Sequence, residues 1–319
     1  MNNEYKYLGK GSSGAKLILI GEHAVVYGNP AIAIPFNGVN TKVQVYESNN
    51  DYITIDCLYH TGVLRDGSKT IYGIETLIFH ILEKYNINKY NLHFKIDSDI
   101  IAQRGLGSSA SVSVAIVRAM FDAFKLKLDN ETLIELAMFA EKIHHTNPSG
   151  LDVYTLVYQK PIWFVRNEGF KTIDINFDGT IMIIDSGMHS QTRIAVEHVQ
   201  SLVNKKEEYV YNEFKKLENL TIKALNSLEH NKVNQMGDIM NKAQESLVNI
   251  EVSNQELDTL RNIISKYNVL GSKLTGGGMG GCLIALTSNE EDALNVKMKL
   301  ANNGLTNVWL YPLKELRND

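Results

Sequence analysis

Apolar and polar residues alternate along residues 92–99, Leu-His-Phe-Lys-Ile-Asp-Ser-Asp, and this alternation predicts a strand with one buried face. Residues 110–124 are mostly apolar, and their length and composition predict a largely buried helix. The residues around the junction, 103–110, are Gln-Arg-Gly-Leu-Gly-Ser-Ser-Ala. A loop with two glycines and two serines therefore joins a strand to a helix.

The same patterns predict the other elements of the chain. Helical spacing of apolar residues predicts helices at 71–85, 130–145 and 290–302, and a mainly helical region from 191 to 266. Apolar or alternating runs predict strands at 16–20, 41–47, 52–57, 153–157, 161–165, 181–185, 282–286 and 307–311. Two short apolar pieces, 24–28 and 31–35, flank a turn at Gly28-Asn29-Pro30.

The predicted element types change near residues 174–180, and helices dominate the chain that follows. The 319 residues can bury a sizeable core, and their number favours two domains. We predict a first domain, 1–175, with the Gly/Ser loop, and a second domain, 176–319, with a further glycine-rich loop.

Composition narrows the class of protein. The net charge of −4 gives no sign of a nucleic-acid surface. Cys57 and Cys282 form no spacing pattern, which fits packed thiols in a reducing compartment. The N-terminus has no signal-like segment, and no apolar run reaches the roughly 18 residues of a membrane span. We therefore expect a cytoplasmic protein with no membrane or nucleic-acid partner.

The loop at residues 103–110 has two interpretations. Glycines allow close backbone approach to a ligand, and the first amides of the following helix have no internal partner, which favours a phosphate site. Alternatively, Ser108 or Ser109 simply caps the helix. No Gly-Lys-Ser/Thr closes a P-loop. A dinucleotide site requires an acidic residue at a strand end about 20 residues further on, where this chain instead predicts a helix start.

A second loop, residues 276–281, has five glycines in six positions. Glycine is entropically costly there, so contact with a ligand is favoured over an ordinary turn. Four side chains that could take part in catalysis or binding lie elsewhere, and spacing alone allows a purely structural or solvated role for each. Glu141 fits a solvated helix face, Asp152 a turn before a strand, Lys16 a snorkelling edge residue and His23 a structural histidine.

Three segments together resemble the three motifs of the GHMP kinase family, in the family's order. They are Lys16-Leu-Ile-Leu-Ile-Gly-Glu-His-Ala-Val-Val-Tyr-Gly28, Gly105–Ala110 and Lys273-Leu-Thr-Gly-Gly-Gly-Met-Gly-Gly-Cys282. The first motif, and the segment Asn147-Pro-Ser-Gly-Leu-Asp152, are most similar to members that phosphorylate mevalonate. The sequence departs from the family pattern at Gly14-Ala15, at Ile101–Arg104, which lacks the usual proline, and at Gly277 and Met279.

The resemblance implies a two-domain α+β fold, the first domain like ribosomal protein S5 domain 2 and the second ferredoxin-like. It also implies an ATP-dependent kinase of a small alcohol that uses Mg²⁺ and forms a homodimer. Another small-molecule kinase of the family, such as one acting on phosphomevalonate, and a non-catalytic regulator are the alternatives. The implied site residues are Asp152 as base and Lys16 as charge stabiliser; Arg104, Gly105, Leu106, Gly107, Ser108, Ser109, Ala110, Gly276, Gly277 and Gly278 for ATP; Glu22, His23 and Thr192 for the acceptor; and Ser109 and Glu141 for the metal.

Overall fold

The computed structural model of the protein describes residues 5–144, 148–190 and 192–317. These residues form two compact units, and each unit is built from stretches that are not contiguous in the sequence. The first unit contains residues up to Ala15, Val39–Ile101 and Gly107–Gln159. The second unit contains Lys16–Gly38, Ala102–Leu106 and the chain from Lys160 onward. The division into domains at 1–175 and 176–319 stays a prediction.

The described strands and helices follow one another in a mixed α and β order. The strands are β1 Lys6–Ile20, β2 Ala31–Glu47, β3 Thr54–Cys57, β4 His60–Val63, β5 Leu92–Ser98, β6 Ile162–Val165, β7 Gly169–Thr172, β8 Thr180–Asp185, β9 Gly271–Leu274, β10 Cys282–Thr287 and β11 Val308–Pro312. The helices are α1 Tyr72–Lys84, α2 Ser108–Ala123, α3 Asn130–His144, α4 Leu151–Tyr158, α5 Thr192–Lys205, α6 Glu207–Glu229, α7 Val233–Asn249, α8 Gln255–Ile264 and α9 Glu290–Ala301.

In the first unit, four helices cover a sheet. The second half of β2 pairs antiparallel with β5, β5 pairs parallel with β3, and β3 pairs antiparallel with β4. The register places Val43 opposite Ile96 and Val45 opposite Phe94, so that these apolar residues lie together in the core. Helices α1 to α4 pack on one another and bury the apolar stripes that the sequence predicts.

In the second unit, an antiparallel sheet has the strand order β11-β8-β10-β9. Every residue of β8, β9 and β10 is buried, which explains why β8 and β10 are apolar runs rather than alternating ones. Strand β9, Gly-Ser-Lys-Leu, is buried although two of its four residues are polar. The start of β2 also pairs with β6, and β6 pairs with β7. Helix α7 packs against α6 and against β9.

One predicted element has the wrong type. Residues 153–157 were expected to form a strand, but they lie inside helix α4. Gly150 precedes this helix in the left-handed conformation, with φ of 86°, and the Thr155 hydroxyl donates to the Leu151 carbonyl inside it at 2.7 Å. A short apolar run is compatible with either a buried strand or a buried helix, and here contacts with α2 and α3 select the helix.

Other elements extend beyond their sequence patterns. Strand β1 begins at Lys6, well before the apolar run at 16–20, and β2 continues through Pro35 as one strand. The short strands β4 and β7 carry no apolar pattern and were not predicted. Throughout the described ranges, no helix is both long enough and apolar enough to span a membrane.

Candidate active site

Helix α2 of the first unit begins without a side-chain cap. Its N-cap residue is Gly107, in the left-handed conformation with φ of 73°, and no side chain bonds to the first amides. The alternative interpretation of this loop, in which Ser108 or Ser109 caps the helix, is therefore wrong. The amides of Ser108, Ser109 and Ala110 precede the first internal bond of the helix, at its positive end. This helix end can hold an anion such as phosphate.

Ser109 and Glu141 come together beside this helix end. The Ser109 hydroxyl donates to Glu141 Oε1 at 2.6 Å. Glu141 lies on α3 and is only 5% exposed, so the solvated-face interpretation of this residue is wrong. Hydroxyl and carboxylate oxygens are hard ligands of the kind that Mg²⁺ takes. Within the described part of the chain no group of three or more His, Cys, Asp or Glu side chains could hold a metal ion.

Asp152 lies in the first turn of α4 and is partly buried. Helix α4 packs against both α2 and α3, the two helices that carry Ser109 and Glu141. Gly150 gives the chain the left-handed turn that brings Asp152 to the start of the helix. Asn147, part of the same motif, lies outside the described residues.

Lys16 belongs to the second unit, at the point where β1 meets residues 102–106. Its backbone amide donates to the Leu106 carbonyl at 3.0 Å, and Nζ donates to the Gly105 carbonyl at 3.2 Å. The side chain is buried, with 4% of the residue exposed. Lys16 is therefore an ordered buried cation beside the glycine loop, and a snorkelling surface role is wrong.

The two glycine loops touch each other within the second unit. A Cβ atom on Gly105 would lie 2.7 Å from the Thr275 carbonyl oxygen, and one on Gly276 would lie 2.7 Å from the Gly105 Cα. Neither position can hold a side chain unless the backbone moves. The sequence signal that favoured a close approach thus has a physical cause, which is contact of one loop with the other.

Two carbonyl groups of the second glycine loop accept hydrogen bonds from side chains. His23 Nε2 bonds to the Gly277 carbonyl at 2.9 Å, and the Ser190 hydroxyl donates to the Gly278 carbonyl at 3.1 Å. Gly276 and Gly278 have positive φ, whereas Gly277 between them does not. Positive φ at Gly276 and Gly278 is a conformation that glycine adopts without steric cost.

His23 has a defined tautomer. A carbonyl oxygen can only accept, so the Nε2 that contacts Gly277 carries the proton, and Nδ1 of the neutral ring is an acceptor. Burial lowers the pKa of His23 from 6.5 to about 4; the nearby Lys273 charge lowers it further, and the bond to Gly277 opposes the shift. His23 therefore stays neutral at physiological pH and can accept a hydrogen bond from a hydroxyl group.

This pKa shift makes stability depend on pH in a predictable direction. Between about pH 6.5 and 4, the unfolded chain binds a proton at His23 that the folded chain does not bind. The free energy of unfolding should therefore fall as the pH falls, with about 3 kcal/mol as the contribution of this group. Urea midpoints followed by fluorescence of Trp163 and Trp309, both in the second unit, measure the effect.

The control for this prediction is His23→Gln, whose amide nitrogen can occupy the Nε2 position and donate to Gly277 but does not titrate. The urea midpoint of the unchanged protein should fall more steeply with decreasing pH than that of His23→Gln. Parallel curves for the two proteins would show that His23 does not titrate as the structure predicts.

Thr192 and Glu22 also lie beside these loops. Thr192 begins α5, and a Cβ on Gly277 would come within 2.5 Å of its hydroxyl oxygen, so Thr192 packs directly against Gly277. Glu22 is fully buried and forms an ion pair with Lys273. The second unit thus brings together Lys16, Glu22, His23, Thr192, Gly105 and Gly276.

The Arg104 side chain contacts residues 185–189 of the second unit. Its Nε lies 2.7 Å from Asp185 Oδ1, its Nη2 donates to the Gly187 carbonyl at 3.1 Å, and its Nη1 lies 3.3 Å from His189 Nδ1. The arginine and the aspartate are both buried. These contacts order residues 185–189, and an ATP contact of the arginine side chain stays a prediction.

Sequence reasoning missed Lys273, Ser190 and Asp185. A lysine inside the wholly buried strand β9 was the available signal for Lys273, because a buried charge requires a partner. Nothing local in the sequence identifies Ser190 or Asp185, since each acts on a backbone group or a cation that is distant along the chain.

The fold and these residues define a small-molecule kinase class, and the comparisons agree. The model of the GHMP kinases N terminal domain matches residues 71–160, and that of the GHMP kinases C terminal matches residues 222–305. The chain belongs to the GHMP kinase family, and the two-domain α+β fold expected from the sequence is confirmed.

The most similar relatives include mevalonate kinases. One from Aeropyrum pernix is 30% identical over 295 residues, which cover 88% of this chain and 89% of that protein. The crystal structure of mevalonate kinase from methicillin-resistant Staphylococcus aureus is 32% identical, covers 96% of this chain and 98% of that one, and has a TM-score of 0.72. The L. major mevalonate kinase in complex with R-mevalonate has a TM-score of 0.82 at 23% identity, with 97% of each chain covered, and supports the fold alone.

Proposed function

We propose that this chain transfers the γ-phosphoryl group of ATP to the 5-hydroxyl of mevalonate, a step in isoprenoid synthesis. The observation that carries the proposal is similarity to mevalonate kinases at 30% and 32% identity along almost the whole chain. The geometry within each unit supports it, because Ser109, Glu141, Lys16 and His23 lie in local environments suited to their proposed roles.

The first unit supplies groups for the nucleotide. The uncapped start of α2 offers amides from Ser108 to Ala110 to phosphate oxygens. Ser109 and Glu141, joined at 2.6 Å, would hold Mg²⁺ through their oxygens. The ion, when bound, would neutralise charge on the phosphates. The backbone amides of Gly276, Gly277 and Gly278 in the second unit would be further donors to phosphate.

Asp152 and Lys16 have the chemistry that the transfer step requires. The acceptor oxygen forms a bond to phosphorus as the bond to the ADP leaving oxygen breaks, and the hydroxyl proton passes to the Asp152 carboxylate. Lys16 stabilises negative charge on the transferring group as that charge develops. Phosphoryl transfer demands positioning and neutralisation more than covalent chemistry, and these two side chains provide both.

The acceptor-facing residues favour a hydroxyl-rich monoanion over a phosphorylated acceptor. A phosphate dianion is usually held by Arg or Lys, often bidentate Arg. His23 is neutral, with Nδ1 as an acceptor for a hydroxyl. Lys16, beside the glycine loop, is assigned to the transferring phosphoryl group. Lys273 and Arg104 are paired with the buried carboxylates of Glu22 and Asp185, and Arg193 forms an exposed pair with Glu197.

Coupled ADP release with mevalonate, phosphomevalonate, galactose and homoserine tests the proposal. We expect kcat/KM for mevalonate to exceed that for each other acceptor by about 100-fold or more. A higher kcat/KM for phosphomevalonate would show that the acceptor is wrong within the same family. ADP release with none of the four would favour a non-catalytic regulator.

The oligomeric state and the cellular location of the protein are also proposals. A homodimer in the cytoplasm is the state that the family resemblance and the composition favour. Sedimentation at several protein concentrations tests the dimer, and fractionation of cells that express the protein tests the location.

A further inference from the structure

Lys273 and Glu22 form an ion pair in the interior of the second unit. Both side chains are 0% exposed. The Lys273 ammonium donates to Glu22 Oε1 and to the Leu274 carbonyl, the latter at 2.7 Å. Glu22 Oε2 has no hydrogen-bond partner among the residues that the structure describes. Desolvation raises the pKa of Glu22 and lowers that of Lys273, and the attraction between the two groups opposes both shifts.

Such a pair is a poor source of stability. The cost of removing two charges from water often exceeds their attraction, and apolar side chains of similar volume in their place are frequently as stable or more so. The unsatisfied Oε2 atom adds to that cost. A contribution to stability therefore does not explain why this buried position holds an ion pair.

The pair is one of three links between the same two segments. The Thr275 hydroxyl donates to the Ile18 carbonyl at 2.9 Å, Lys273 holds Glu22, and His23 Nε2 donates to the Gly277 carbonyl at 2.9 Å. Together these links join the end of β1 and its following turn to β9 and the glycine loop. Glu22 is the residue immediately before His23, so the bond from Lys273 to Glu22 restrains the position of the His23 backbone.

His23 requires such an anchor. Its backbone has φ of 60°, a conformation that side chains other than glycine rarely adopt without support from their surroundings. The ring is buried, and Nε2 bonds to the Gly277 carbonyl. A small displacement of the Glu22 backbone would break the alignment of that bond with the Gly277 carbonyl.

We propose that Lys273 is a positioning residue, which through Glu22 fixes His23 against Gly277 and so couples the acceptor-facing histidine to the phosphate-facing glycine loop. In this arrangement Glu22 acts through His23 rather than by touching the acceptor. The activity readout of this inference rests on the proposed function, and the spectroscopic readout does not.

The test separates positioning from stability. Lys273→Met leaves the Glu22 carboxylate buried without its partner, so its urea midpoint should fall strongly. The double variant Glu22→Met/Lys273→Met removes both charges and fills the same space with linear apolar side chains, so the midpoint should recover most of that loss. If the pair positions His23, kcat/KM for mevalonate should stay at least about tenfold below that of the unchanged protein even in the double variant.

A matched control is Lys216→Met, which removes the partner of another buried carboxylate, Glu213 on α6, where the two atoms are 2.6 Å apart. Because Lys216 is 60% exposed, this variant should lose less stability than Lys273→Met, with kcat/KM within about twofold of the unchanged protein. A double variant at Glu22 and Lys273 that recovered both stability and kcat/KM would overturn the proposal and leave the pair with a structural role alone.

Long-range ¹H–¹⁵N spectra of the histidine rings give a readout that needs no turnover. The His23 signals, identified by their loss in His23→Gln, should report one neutral Nε2–H tautomer in the unchanged protein and a mixture of tautomers in the double variant. An unaltered His23 tautomer in the double variant would overturn the inference whatever the enzyme assays report. Failure of the unchanged protein to phosphorylate mevalonate, with the tautomer changed as expected, would instead overturn the proposed function.

Discussion

Replacement of Asp152 with Asn is expected to lower kcat by about 10²–10⁴-fold, equivalent to roughly 3–5 kcal/mol in the barrier. The amide has nearly the same shape as the carboxylate, but it cannot take the acceptor proton. The KM for ATP should change by less than about threefold, because the α2 amides proposed to bind phosphate do not depend on this side chain. Steady-state kinetics with mevalonate and ATP varied in turn measure both quantities.

The matched control is Glu256→Gln, the same chemical change in the first turn of another helix, α8, at an exposed position. It should leave kcat unchanged, which separates loss of the base from loss of a helix-end charge. Circular dichroism and urea unfolding would establish that Asp152→Asn is folded. A folded Asp152→Asn protein with near-normal kcat would remove Asp152 from the mechanism.

Replacement of Glu141 with Gln is expected to raise the Mg²⁺ concentration for half-maximal activity by about tenfold or more. The carboxylate is buried and joined to Ser109, so its position is fixed, and on the proposed function it would be a ligand of Mg²⁺. Ser109→Ala should shift the Mg²⁺ dependence in the same direction. Because the two side chains are in direct contact, the double variant should be less impaired than the product of the single effects.

Glu135→Gln provides the control on the same helix, since Glu135 is an exposed residue of α3 whose side chain pairs with Lys84. Its Mg²⁺ dependence should match that of the unchanged protein. Mg²⁺ curves that coincide for Glu141→Gln, Ser109→Ala and Glu135→Gln would contradict the assignment of a metal site to this pair.

Local patterns predicted much of the fold. The alternation at 92–99 became β5, the apolar run after the Gly/Ser loop became α2, and the glycine-dense segment became a tight loop between buried strands. These features are local because each depends on the periodicity or on the backbone freedom of neighbouring residues. The type of α4 could not be predicted, because a short buried run satisfies both periods and only its packing partners decide.

Contacts between distant residues were beyond local reasoning. Glu22 and Lys273 are separated by 251 positions, and His23 and Gly277 by 254. Spacing suggested surface or ordinary structural roles for Glu141, Lys16 and His23, and burial of each side chain comes from elements elsewhere in the chain. The interleaved units have the same origin, since nothing near residues 16–38 indicates that they fold with residues after 160.

Identification of the product by ³¹P NMR tests the central claim most directly. The purified protein, incubated with ATP, Mg²⁺ and mevalonate, should give ADP and a new phosphate monoester whose phosphorus signal is a triplet, split by the two protons on C5. Transfer to the tertiary hydroxyl would give a singlet, because that carbon bears no proton. A singlet, or ADP formed with no new monoester, would contradict phosphorylation of the 5-hydroxyl of mevalonate.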